Sequence, residues 1–126
     1  MDYWWRWLPS FGWMGVIFYL SARSGSELKG MFPFFDSFNF GHLIAYFILA
    51  VLFYWALLPL QRKWKWDIRI IAIILCFLYG LTDEWHQSLV PGRMPDVMDL
   101  VNDVIGATVG MAAVTFIRRS RIKRSL

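Results

Sequence analysis

A single cysteine, Cys76, in 126 residues excludes an intrachain disulfide. Its place inside an apolar run reads as a small packing residue. Charge is also scarce, at 17% of residues against 58% apolar and 19% aromatic. With a mean hydropathy of +0.46, that balance excludes an ordinary water-soluble globular domain. The N-terminal apolar segment lacks a small-residue cleavage site behind a short apolar core, so it reads as a retained span rather than a signal peptide. There is no internal repeat and no linker between domains. No His, Cys or acid spacing matches a recognised metal motif. No cofactor is therefore expected, although His42 with several acids leaves a divalent cation open.

What the chain does have is four apolar runs, over about residues 5–20, 40–58, 68–90 and 97–117. A helix needs roughly 20 apolar residues to cross a bilayer core of about 30 Å. The expected fold is an all-α membrane protein, one four-transmembrane-helix bundle over residues 1–126. Pro9 falls in the first turns of the first run, where proline is tolerated, while Pro59 and Pro91-Gly92 close the second and third. Trp4, Trp5, Trp7, Trp55, Trp64, Trp66 and Trp85 lie near the run ends, as interfacial belts do.

The net charge of +4 sits at those ends rather than on a soluble face. It therefore argues for orientation and anionic lipid contact, not nucleic acid. With four spans, ten Lys/Arg share one side: Arg6, the 61–69 connector and the 118–124 tail. Three, Arg23, Lys29 and Arg93, share the other. The positive-inside rule then places both termini in the cytoplasm and turns loops 21–39 and 91–96 outward, in a bacterial cytoplasmic membrane.

Residues 79–106, YGLTDEWHQSLVPGRMPDVMDLVNDVIG, carry the chemistry. Ionisable groups within a span are costly and are a functional hypothesis by default. Asp83 and Gln87 are four apart and Glu84 and Gln87 three apart, so all three fall on one broad helix face. Asp96, Asp99, Asp103, Gly106 and Gly110 form a second stripe, and Gly106-x-x-x-Gly110 lets another helix approach closely. With the third span running to Val90, Asp83 lies roughly 10 Å from its end, which points to an outward polar pocket. Candidates for catalysis are Asp83, Glu84, His42 and Asp99. Candidates for ligand binding are Arg93, Gln87, Asp103, Asn102, Ser21 and Tyr46.

Plainer readings stand beside these. Asp96 suits an N-cap with Asp99 as its capping-box acid. Arg93 suits a counter-ion, His42 with Tyr46 an interfacial pair, and His86 an interfacial residue out of register with the Asp83 face. Adjacent acids at Asp83 and Glu84 are the hardest to assign to structure alone.

The pattern Asp83-Glu84-x-x-Gln87, Pro91-Gly92-Arg93, Asp99 and Asn102-Asp103-x-x-Gly106-x-x-x-Gly110 resembles the VanZ-like family of small bacterial membrane proteins. Ser21 matches a serine at the end of the family's first span, and His42 with Tyr46 matches its His-x-x-x-Tyr/Phe element. The resemblance covers residues 17–112. The family often has a lysine just before the histidine; here the run is Phe38-Asn39-Phe40-Gly41, so no role for that cation carries over. The resemblance implies a four-helix integral membrane protein. The family's founding member is associated with low-level resistance to teicoplanin, a lipid-tailed glycopeptide that acts at the outer face of the membrane, and an outward polar pocket is compatible with that association.

Three functions follow as expectations. The first is an outward site that binds or modifies an envelope lipid head group, or a lipid-linked or lipid-tailed ligand; its enzymatic version is a head-group hydrolase or transferase. A small proton-coupled exporter is the second, since neighbouring carboxylates can share a proton. The third is a structural partner of envelope machinery, with a homo-oligomer as one form.

Overall fold

The computed structural model describes residues 3–22, 38–91 and 96–125. Among them it is all-helical, with α1 over Leu8–Ser21, α2 over Phe38–Leu57, α3 over Ile68–Gln87 and α4 over Val97–Ser125. Short 3₁₀ turns over Trp4–Trp7 and Leu58–Leu60 precede α1 and follow α2.

Local chemistry sets the helix ends. Asp67 N-caps α3 by accepting from the Arg69 backbone N–H at 2.9 Å, satisfying one of the donors that a helix start leaves unpaired. Asp96 does the same for α4, accepting from the Met98 N–H at 2.9 Å. Two boundaries differ from expectation. α3 stops at Gln87, because Leu89 and Val90 donate to the carbonyls of His86 and Gln87 in tight turns ahead of Pro91. Asp83 is consequently about 6 Å from the helix end rather than 10 Å. α4 runs past Ile117 to Ser125, so the basic tail is helical; cations at a helix C-terminus favour that continuation.

Helix α2 is the hub. It packs most extensively on α4, then on α3, with α1 against its flank. The α2–α4 contact is close because Gly106 and Gly110 face it. A Cβ at Gly106 would overlap the Leu43 carbonyl oxygen, and one at Gly110 would lie 2.9 Å from the Phe47 carbonyl oxygen. Two glycines four apart therefore meet two carbonyls four apart, one helical turn repeated on each side. Tyr46, Leu49, Ala50, Phe53, Ala72, Cys76, Ala107 and Met111 fill the core around this seam. The Cys76 thiol points at the Tyr46 carbonyl oxygen, 4.0 Å away.

Two stretches, Gly41–Leu60 and Val97–Arg124, are long and apolar enough to cross a membrane. In the most apolar 18 residues of each only 39% and 28% are buried, unlike the mostly buried core helix of a soluble protein. Phe11, Phe18, Ile70, Ile74, Leu78, Val109 and Phe116 also face outward. The other two helices fall short for different reasons. α1 is only 14 residues long. α3 holds Arg69, Asp83 and Glu84, with His86 and Gln87 in its last turn.

Candidate functional site

Helices α1, α2, α3 and α4 converge on one polar cluster at the end of the bundle away from the basic tail. Its centre is His42, four residues before Tyr46 on α2. The His42 Nδ1–H donates to Asp103 Oδ1 at 2.8 Å, and Nε2 lies 3.8 Å from Asp99 Oδ2. A carboxylate partner fixes the proton on Nδ1. Asp99 and Asp103 are four apart on α4, so one face presents both acids to one imidazole. This contact is possible because Gly106, three residues beyond Asp103, brings the α4 backbone against Leu43, the neighbour of His42.

The α3 side is built on a second four-residue step. The Gln87 Nε2 amide donates to Asp83 Oδ2 at 3.2 Å and reaches Ser21 Oγ on α1 at 3.4 Å. Asp83, Gln87, Asp99, Asp103 and Ser21 are all buried. Tyr46 is fully enclosed, its ring stacked 6.4 Å from His42 and tilted 6.2 Å from Tyr79. The Tyr79 hydroxyl donates to the Met14 carbonyl at 2.6 Å, pinning α1 to α3 beneath the cluster.

Glu84 turns elsewhere. Half-buried, it accepts from the Asp96 backbone N–H at 3.2 Å through Oε2, tying the end of α3 to the start of α4. Asp96 acts as the α4 cap, while Asp99 lies beside His42. His86 stacks on Phe18 of α1, ring centroids 4.1 Å apart. Asn102 is half-buried and adds no hydrogen bond to the cluster among the described residues. Arg93 lies outside the described residues.

One residue of the cluster escaped the sequence reading. A Cβ on Gly80 would lie 2.9 Å from both Asp103 Oδ2 and Leu100 Cδ1, so the missing side chain is what admits the Asp103 carboxylate to α3. Its signal was available, since a glycine inside a helix costs roughly 0.5–1 kcal/mol and calls for a packing reason.

Several buried polar atoms find no hydrogen-bond partner among the described residues: Asp103 Oδ2, Gln87 Oε1, Tyr46 OH and Glu84 Oε1. Buried oxygens are normally paired, so this set from three helices holds hydrogen-bonding capacity that the described residues leave unused. No three His, Cys, Asp or Glu side chains among the described residues are placed to hold a metal ion. The cluster offers instead an imidazole between two carboxylates, an arrangement able to take up and pass on a proton.

No curated protein and no solved structure is significantly similar to this chain. Residues 6–118, a stretch that contains every residue of the cluster, match the VanZ/LLP1 family, and the chain belongs to that family.

Proposed function

We propose that this protein spans the bacterial cytoplasmic membrane four times with both termini inside. Its polar cluster then lies toward the outer face, where it binds or modifies an envelope lipid head group. In doing so it influences susceptibility to lipid-tailed glycopeptide antibiotics. The observation that carries the reading is the buried polar group in which His42 bonds Asp103 beside Asp99 and Tyr46, with Asp83, Gln87 and Ser21 joined next to it, inside an apolar bundle. Polar groups held in such surroundings cost stability unless something hydrogen-bonds to them. Glu84 is half-buried while the His42 side chain is only 12% exposed, so a head group arriving from the membrane surface meets Glu84 first. Membership of the VanZ/LLP1 family supports the membrane setting; the antibiotic part rests on the teicoplanin association of the VanZ-like family's founding member alone.

The test is teicoplanin and vancomycin susceptibility of cells expressing the wild type, Asp83→Asn or His42→Ala at matched membrane levels. Selective protection against teicoplanin that both variants lose is the expected result. Wild-type cells indistinguishable from empty vector sink the resistance role. The orientation has its own test: a C-terminal green fluorescent protein fusion should fluoresce and a C-terminal alkaline phosphatase fusion should stay inactive.

The His42–Asp103 pair favours a second reading, a proton-coupled exporter, because an imidazole and neighbouring carboxylates form a proton-carrying set. Substrate-dependent proton release from proteoliposomes separates the two.

A further inference from the structure

The opposite end of the bundle holds a cleft of about 440 Å³ lined by Tyr54, Lys65, Arg69, Thr115, Arg118 and Arg119, with Gln61, Asp67 and Ile122 completing its wall. Four cations and one carboxylate therefore share the space. The carboxylate is already engaged: Asp67 accepts from Arg69 Nε through both oxygens at 3.0 and 3.1 Å and from its terminal nitrogen at 2.5 Å. Arg69 is further held by Thr115 Oγ1 at 2.7 Å, and Arg118 contacts the Tyr54 hydroxyl. These bonds fix the walls, and among the described residues no second acid lines the cleft to offset Lys65, Arg118 and Arg119.

Its position identifies the anion. Thr115, Arg118, Arg119 and Ile122 follow a three- and four-residue step, so one face of α4 changes from apolar to cationic within two turns. Phe116, Ile117 and Ile122 are exposed beside the arginines, and Trp66, three-quarters exposed, and Trp64 flank Lys65. Tryptophan marks the membrane–water boundary. Guanidinium groups match phosphate oxygens in charge and in paired donor geometry.

We propose that this cleft is a second binding site, which takes the phosphate group of an anionic membrane lipid and lays the acyl chains along Phe116 toward Val109, the exposed apolar face on the bilayer side of the arginines. The site rests on the membrane setting and orientation proposed above, and not on the function proposed for the His42 cluster. It would anchor the α2–α3 connector and the α4 tail to the charged leaflet.

The experiment uses the full chain purified in detergent, with lipid adducts read by native mass spectrometry against phosphatidylglycerol and phosphatidylcholine. Phosphatidylglycerol should be retained in preference to phosphatidylcholine. The pair Arg118→Gln/Arg119→Gln should weaken it about 30-fold, and Lys65→Gln about fivefold. The pair Lys123→Gln/Arg124→Gln removes the same charge outside the cleft and should change little. Equal retention of the two lipids, or equal weakening by both double variants, overturns the site in favour of diffuse attraction. Competition by millimolar inorganic phosphate overturns the lipid assignment and makes this a soluble-phosphate site; failure to compete supports the lipid.

Discussion

His42 and Asp103 share a 2.8 Å hydrogen bond between α2 and α4, beside the point where Gly106 lets the two backbones approach. The side-chain pair and the glycine seam are one device. The imidazole reaches the carboxylate because the helices are too close for a side chain at residue 106.

Gly106→Ala should therefore destabilise the bundle, by about 1–3 kcal/mol in line with overpacked interiors. Gly110→Ala should cost less, because its Cβ meets the Phe47 carbonyl at 2.9 Å instead of overlapping it. Thermal unfolding in detergent checks the order. A Gly106→Ala protein as stable as wild type contradicts the close seam.

The His42–Asp103 bond predicts energetic coupling. In a cycle of His42→Ala, Asp103→Ala and the double variant, the coupling energy should fall within about 0.5–3 kcal/mol. Each single variant should cost more than its share, since it leaves the other partner buried and unpaired. Strictly additive losses would mean that the two side chains do not interact.

Gly80→Ala tests how Asp103 is seated. The new methyl meets the ends of two side chains, Asp103 and Leu100, rather than backbone. Helix propensity gains up to about 1 kcal/mol from this change, so the melting temperature should move little. The His42–Asp103 coupling measured in the Gly80→Ala background should nevertheless shrink. Unchanged coupling would remove Gly80 from the site.

Asp67 predicts a dependence on pH. The Arg69 guanidinium, with the Arg69 backbone N–H, holds the Asp67 carboxyl below its ordinary range. A carboxyl whose folded pKa is depressed stabilises the fold above its unfolded pKa, and loses that contribution as pH falls through the folded value. Asp67→Asn keeps a capping side chain but not the charge, so its deficit against wild type should close on acidification. Asp67→Ala should cost about 1 kcal/mol at neutral pH through the lost cap. A deficit for Asp67→Asn that is constant from neutral to strongly acidic pH rules out the charge contribution.

The sequence by itself determined the helices and their faces. Apolar runs marked α1 to α4, and the 3.6-residue repeat put Asp83 with Gln87 and Asp99 with Asp103 before any fold was considered. The Asp83–Gln87 hydrogen bond and the shared approach of Asp99 and Asp103 to His42 are such same-face pairs. The 83–110 motif also carried the resemblance to the family in which the chain is now placed. Boundaries were less legible, because the turn ahead of Pro91 and the helical basic tail depend on local hydrogen bonds that composition does not record. Only the tertiary structure decided which faces meet. Periodicity orients residues within one helix but says nothing about the rotation or depth of a neighbour. For that reason Gly80 became the seat of Asp103, Glu84 parted from Asp83 to reach the α4 cap, and distant Lys65 and Arg118 came to line one cleft.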